Sequence, residues 1–267
     1  MTVKMIAVDM DGTFLNSMQD YDREHFAELY KKMKEQGIRF VVASGNQYYQ
    51  LKSFFPEIEK ELSFVAENGA YVVSENQEIF YGEMMQETVD DVLDVLYHFN
   101  GAHTILCGRT SAYVREDESE SFVAYGSKYY HRLKKVPDLK KVENDVFFKF
   151  ALSFPVGQVE QAVEELEQVL EGRLVPVSSG HEDVDLIIQG THKASGLERL
   201  QQLWGIKAEE IAAFGDSGND IEMLKHAGYS FAMANAHPKV KEAAKEVILS
   251  NDESGVLKKI EELLAAI

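Results

Sequence analysis

Residues 6–13 read Ile-Ala-Val-Asp-Met-Asp-Gly-Thr, IAVDMDGT. An apolar run from Val3 to Val8 predicts a buried strand, and it stops on Asp9, Met10 and Asp11. Two carboxylates one residue apart at a strand tip repel each other and lose hydration, a cost that something else in the fold must offset. Gly12 after them supplies the backbone freedom of a tight turn. In an open parallel sheet the carboxyl ends of the strands are where ligands bind. The remaining sequence must therefore supply such a sheet, and groups that compensate the two acids.

Working outward, short apolar runs alternate with amphipathic stretches, the pattern of a parallel α/β sheet. Residues 21–36 place Phe26, Leu29, Tyr30 and Met33 at helical spacing before Gly37 ends the helix. RFVVA (39–43) and residues 63–66 read as the second and third strands. The rhythm resumes late, with a helix over 193–204, a strand at 211–215, a helix at 221–227, strands at 230–232 and 247–249, and a helix at 256–264. Between the two blocks the pattern changes. AENGAYVVSENQEIFYGE (66–83) predicts a hairpin turning at Glu75–Gln77, followed by a helix at 88–99 and strands at 103–106, 112–115 and 146–153. A helix at 156–170 and strands at 174–177 and 184–188 follow. The expectation is an α/β protein with a doubly wound, Rossmann-like parallel-sheet core (residues 1–82 and 184–267) and an inserted, smaller α+β domain (83–183).

Composition narrows the partners. The chain of 267 residues carries 45 acidic and 27 basic side chains, a formal charge of −18. This balance argues against nucleic acid and anionic membrane, both of which select basic surfaces. An apolar content of 45% suffices for a packed core. Cys107 is the only cysteine, which precludes an internal disulfide and suits a reducing compartment. No run approaches 18 apolar residues and no secretory leader pattern is seen, so a cytoplasmic protein acting on a small molecule is expected.

Several polar groups fall at the predicted carboxyl edge of the sheet: Asp9 and Asp11, Ser44 after RFVVA, Lys193 opening a helix, and FGDSGND (214–220). Taken singly, each has an ordinary structural reading. Asp-Gly is a common turn, Ser44-Gly45 a helix cap, Lys193 a solvated surface lysine, and Asp216, Ser217, Asn219 and Asp220 turn and cap residues. Taken together, a strand ending D-x-D-G-T, a strand ending Ser-Gly, a helix-opening lysine and G-D-x-x-N-D resemble the haloacid dehalogenase-like phosphotransferases. The long insert between Ser44 and Lys193 resembles the type IIB cap of the Cof-type phosphatases. ENGA (67–70) and Gly255-Val256 resemble that group as well.

The resemblance implies a Mg²⁺-dependent phosphatase acting on small phosphorylated metabolites, sugar phosphates first among them, through an aspartyl-phosphate. It makes Asp9 the nucleophile and Asp11 the acid that protonates the leaving oxygen and then activates water. Mg²⁺ would be held by Asp9 and Asp216 with the Asp11 backbone carbonyl, and Asp220 would orient a metal-bound water or Lys193. Ser44, Gly45, Lys193 and Asn219 would meet the phosphoryl oxygens. The metal and Lys193 would thus offset the paired acids of IAVDMDGT.

One departure is plain. Relatives commonly carry Thr-Gly-Arg where this chain has Ser44-Gly45-Asn46, replacing a bidentate cation by a neutral amide. Asn46 is expected either to meet substrate hydroxyls or to start a helix. In the insert, SSGHEDVD (178–185) offers Gly180, His181 and Asp183 to the cavity, although His181 alone reads more readily as structural. His192, beside Lys193, is read as an incidental neighbour. Pyridoxal phosphate and flavin mononucleotide are alternative substrates, and a phosphosugar mutase or a non-catalytic sugar-phosphate sensor are alternative functions.

Overall fold

The computed structural model describes residues 2–99, 101–180 and 182–266, so His181 lies outside the described residues. The strands are β1 (Met5–Val8), β2 (Arg39–Ala43), β3 (Ser63–Ala66), β4 (Tyr71–Ser74), β5 (Gln77–Tyr81), β6 (His103–Gly108) and β7 (Ala112–Arg115). They continue as β8 (Leu133–Val136), β9 (Phe147–Ser153), β10 (Val175–Gly180), β11 (Asp183–Ile187), β12 (Ile211–Gly215), β13 (Tyr229–Ala232) and β14 (Glu246–Val247). The helices are α1 (Arg23–Glu35), α2 (Tyr48–Leu51), α3 (Gln86–Tyr97), α4 (Glu120–Gly126), α5 (Val159–Leu170), α6 (Lys193–Trp204), α7 (Ile221–His226), α8 (Pro238–Ala243) and α9 (Gly255–Ala265).

Among the described residues the strands form two sheets. The larger has the order β14-β13-β12-β1-β2-β3-β4-β5. It is parallel from β14 to β3 and ends in the antiparallel pair β4 and β5. Strands β1, β3 and β12 are buried along their whole length, as expected where helices cover both faces of a parallel sheet. The hairpin turns at Glu75 and Asn76, both with left-handed φ. Helix α1 starts at Asp22, whose side chain accepts from the His25 amide, and it buries Phe26, Leu29 and Met33.

The smaller sheet, order β10-β11-β9-β6-β7-β8, is antiparallel except for the β7–β8 pair. Helices α3 and α5 cover one face, packing Val89, Val92, Leu93, Leu96 and Leu166 on Leu106, Phe150, Leu152 and Leu186. Side chains alternate along a strand, so Ile105, Cys107, Lys149, Ala151 and Asp185 fall on the opposite face, with Ile105 opposite Ala151 and Cys107 opposite Lys149.

The structure departs from the sequence reading at several ends. Strand β11 pairs with β9 from Asp183↔Ser153 to Ile187↔Lys149. The return to the larger sheet thus falls after Ile187, beyond the division drawn at 183/184. The helix foreseen from residue 156 begins at Val159, after the turn at Gly157 (φ +79°). Strand β8 and helices α2, α4 and α8 are additional to the predicted elements. β8 (LKKV) is a partly exposed edge strand with two lysines, and the three helices are too short to show a full apolar period. Among the described residues no helix is long and apolar enough to cross a membrane.

Candidate active site

β1 lies between β12 and β2, with Val8 paired to both Phe214 and Val42. The three strand tips therefore deliver Asp9, Asp216 and Ser44 to one edge, where the strand order reverses and open sheets bind ligands. After Asp9 the backbone makes a wide turn, Phe14 N–H donating to Asp9 C=O (3.1 Å) and Leu15 N–H to Met10 C=O (2.9 Å). Gly12 sits in this turn at φ +73°, and a Cβ there would stand 2.6 Å from Asp216 Oδ2. Only glycine satisfies both the conformation and the approach.

Asp9 is buried at 5% exposure and Lys193, the first residue of α6, at 0%. The Lys193 ammonium donates to Asp9 Oδ1 and to Asp220 Oδ1, each at 2.6 Å. The other Asp220 oxygen accepts from the amides of Asp216 (2.9 Å) and Ser217 (3.0 Å). Asp220 thus holds the lysine on one side and shapes the Asp216 loop on the other. Asp216 accepts from Thr13 Oγ1 (2.7 Å) and Ser217 Oγ (3.2 Å). His192, read as incidental, caps α6 through its Nδ1, which accepts from Ser195 N–H.

Asp9, Asp216 and Asp220 each offer an oxygen within 4.8 Å of the others. Three carboxylates around one ammonium leave a local charge of −2 in a buried place. Burial, then repulsion from Asp220, pushes Asp216 up to about 6. Burial likewise holds Asp9 well above its ordinary value against the pull of Lys193, with Asp220 and Asp216 adding to the rise. Burial opposes the Lys193 charge, but Asp220 and Asp9 outweigh it and hold the ammonium above the usual lysine value. Such a set of oxygen donors fits a hard divalent cation. The Asp11 carboxylate stands apart from it.

Asp11 Oδ2 accepts from Asn46 Nδ2 at 2.6 Å. The Asn46 Nδ2 also lies 3.5 Å from Gln50 Oε1, and Asn46 lines the cleft. Asn46 also precedes α2, whose N-cap is Gln47. The Ser44 hydroxyl is buried and accepts from the Asn46 backbone N–H (3.1 Å). Asn219 Nδ2 donates to Asn68 Oδ1 (2.9 Å), tying at least one of its protons to the ENGA loop.

A cleft lies between the carboxyl edge of the larger sheet and the smaller sheet. Asp9, Asp11, Ser44, Gly45, Asn46, Ser217 and Asn219 line its floor; Phe122, Tyr125, Tyr129, Tyr130, Ser153 and Ser179 line the other wall. Asp183 lies there too, accepting from Tyr125 OH at 2.6 Å. Sequence reading missed a second buried lysine at this junction. Lys149 is 1% exposed, contacts Asp185 Oδ1 (2.8 Å) and Glu67 Oε2 (3.7 Å), and donates to Gly45 C=O (2.7 Å). Asn68 Nδ2 also donates to Asp185 Oδ2 at 2.5 Å. The available signal was a lone lysine inside FFKFAL and a lone aspartate inside VDLI, charges that an apolar strand accepts only when paired. Glu67, Asn68 and Gly69 all have positive φ, strain of the kind found at functional sites. A Cβ on Gly69 would stand 2.3 Å from His192 C=O, so the loop packs on the start of α6.

Comparison with known proteins agrees with this geometry. A family model described as haloacid dehalogenase-like hydrolase matches residues 6–260. The 5-amino-6-(5-phospho-D-ribitylamino)uracil phosphatase YbjI of Escherichia coli is 48% identical over 264 residues, covering 99% of this chain and 97% of that protein. The Bacillus subtilis protein YwtE, named for the same activity, is 26% identical, with 98% and 99% covered. Among solved structures, SMU.1108c from Streptococcus mutans superposes with a TM-score of 0.95 at 39% identity, covering 99% of this chain and 100% of that one.

Proposed function

The chain belongs to the haloacid dehalogenase-like hydrolase family and is a phosphoric monoester hydrolase; on that premise we propose that it cleaves small phosphorylated polyols and sugars through an aspartyl-phosphate on Asp9. The observation that carries this reading is Asp9 itself, at the cleft floor, held by the Lys193 ammonium at 2.6 Å and grouped with Asp216 and Asp220. Mg²⁺ is the cation this donor set suits; Asp9 and Asp216 would hold it, and it would neutralise phosphoryl charge when bound. Asp220 is better placed to position Lys193 than to ligate, since it is fully buried, with one oxygen on the lysine and the other on two backbone amides, whereas Asp216 is partly exposed.

In this reading an Asp9 oxygen attacks phosphorus, and the bond from phosphorus to the ester oxygen breaks. The proton of the Asp11 carboxyl passes to the departing oxygen. Water then attacks the phosphorus of the aspartyl-phosphate, giving its proton to the Asp11 carboxylate. The bond to Asp9 breaks and inorganic phosphate leaves. Lys193, the Ser44 hydroxyl and amides of the Gly12 and Gly45 turns stabilise charge on the transferring oxygens. The smaller sheet closes the cleft and limits bulk water.

For the substrate, the E. coli relative's name points to a phosphorylated ribityl chain attached to a uracil ring. The cleft supports a substrate of that build. Phe122, Tyr125, Tyr129 and Tyr130 offer flat apolar surface for a heterocycle, and Asp183, Ser153 and Ser179 offer partners for chain hydroxyls. The test is phosphate release with Mg²⁺ from 5-amino-6-(5-phospho-D-ribitylamino)uracil, simple sugar phosphates, pyridoxal phosphate and flavin mononucleotide, with Asp9→Asn as control. Release that requires Asp9 and is fastest for the ribityl compound is expected. Release that persists in Asp9→Asn overturns the nucleophile, and preference for a plain sugar phosphate overturns the heterocycle.

A further inference from the structure

The segment that follows β2, residues 44–50, divides its contacts by alternate residues. Ser44 and Asn46 face the floor of the cleft, where Asn46 Nδ2 holds Asp11 Oδ2 at 2.6 Å. Gly45, Gln47 and Tyr49 contact the domain of the smaller sheet. Gly45 C=O accepts from Lys149 Nζ at 2.7 Å. Gln47, 1% exposed, clasps the backbone of Arg132: its Oε1 accepts from Arg132 N–H (2.8 Å) and its Nε2 donates to Arg132 C=O (3.3 Å). Tyr49 OH donates to Arg109 C=O (3.2 Å), and the Arg132 guanidinium lies 3.4 Å above the Tyr49 ring. Asn46 therefore sits between two neighbours that are both fastened to the other domain.

We propose that Asn46 is the positioning residue of Asp11, and that the clasp of Gln47 on Arg132 sets its position, so that proton transfer at Asp11 depends on the smaller domain being docked. This inference rests on the acid–base role assigned to Asp11 above. A carboxyl that must meet a leaving oxygen and later a water needs a fixed direction, and a 1 Å error in such a group is costly. The Asn46 amide supplies that direction while bringing no charge. An undocked domain leaves the Gly45–Tyr49 backbone without its outer contacts, and Asn46 without its fixed place. Acid–base chemistry is thereby confined to the closed cleft, where water is limited.

The experiment uses the full-length protein with Mg²⁺ and two esters, p-nitrophenyl phosphate and ribitol 5-phosphate. The first releases a stable phenolate that needs no proton; the second releases an alkoxide that does. In Asn46→Leu, which keeps the shape and removes the donor, kcat on ribitol 5-phosphate should fall roughly tenfold to a hundredfold, a fraction of what general acid–base catalysis supplies. With p-nitrophenyl phosphate the first turnover should stay fast. A burst of about one phenolate per site should precede slow turnover, because water activation still needs Asp11. Gln47→Leu should give the same pattern, reduced to about fivefold, and Asn46→Ala repeats the test with a smaller side chain.

A merely structural role for Asn46 would slow the first turnover of both esters alike and give no burst; that outcome overturns the proposal. Ester selectivity in Asn46→Leu but none in Gln47→Leu overturns the dependence on docking. Asp11→Asn is run beside them. If it cleaves ribitol 5-phosphate at the parental rate, the acid–base reading itself fails. If it does not, while Asn46→Leu treats both esters equally, only the present inference fails.

Discussion

The molecule contains two buried lysines, each between carboxylates, and they do different work. Lys193 (0% exposed) lies 2.6 Å from both Asp9 and Asp220, with Asp216 beside them. Lys149 (1% exposed) lies 2.8 Å from Asp185 and 3.7 Å from Glu67. The first cluster, with its three carboxylates ionised, has an excess of two negative charges and presents Asp9 to the cleft, an arrangement that invites a divalent cation and a phosphoryl group. The second has an excess of one, and its lysine spends a further proton on Gly45 C=O. Burial pushes Glu67 up to about 7, against the pull of Lys149, as it also raises Asp9 and Asp216 in the first cluster; the difference is the third carboxylate, which only the first cluster has and which suits a metal. A buried ammonium is therefore no signature of catalysis by itself. Both clusters reach the cleft, the first through Asp9 and the second through Lys149 and Asp185; three carboxylates converging at the tips of adjacent strands mark the reactive cluster, and an ammonium spent on one carboxylate and a backbone carbonyl marks the structural one.

The sharpest break of this comparison removes each ammonium in turn. Lys193→Met should lower turnover roughly 10³-fold, at or beyond what one donor to a developing charge contributes. Its cluster becomes more negative, so the rise in Tm on adding Mg²⁺ should be larger than in the parent. A parental rate, or an unchanged Mg²⁺ effect on Tm, would count against the assignment. Lys149→Met should act on stability, by about 3–5 kcal/mol, because Asp185 and Glu67 are left buried without a cation. Urea unfolding reads that loss. On p-nitrophenyl phosphate this second variant should lose far less turnover than Lys193→Met. Equal losses in the two variants would erase the distinction between the clusters.

The two clusters also differ in how well the sequence announces them. Asp9, Lys193, Asp216 and Asp220 stand at strand and helix ends, positions that a strand-by-strand reading exposes. The same reading recovers the hairpin, the division into two alternating blocks and an insert, and the start and end of α6. Lys149 and Asp185 lie inside strands that read as apolar, and they become partners only through the β9–β11 register, with Ile187 opposite Lys149. No local pattern encodes that pairing. Asn46 shows the same limit. As a residue type it suits a hydroxyl or a helix start, yet the fold directs its amide to Asp11, 35 residues away. Helix α4, with Phe122 and Tyr125 on the cleft wall, has seven residues, too few to show an apolar stripe.

The smallest expected effect concerns Glu67 alone. Its carboxyl lies near 4.5 in an unfolded chain and rises to about 7 in the fold, chiefly through burial. Below about pH 4.5 both states hold the proton and Glu67 adds no pH dependence. Between 4.5 and about 7 the folded state binds more protons than the unfolded one, so stability falls as pH rises. The whole shift is worth about 3 kcal/mol. Glu67→Gln keeps the shape and cannot ionise. The stability of the parent relative to this variant should therefore decline from pH 5 to pH 8, measured by urea unfolding at each pH. A difference that stays flat would mean that Glu67 is ionised throughout, paired with Lys149. The second cluster would then need another source of compensation, and its contrast with the first would narrow to the number of carboxylates around the lysine.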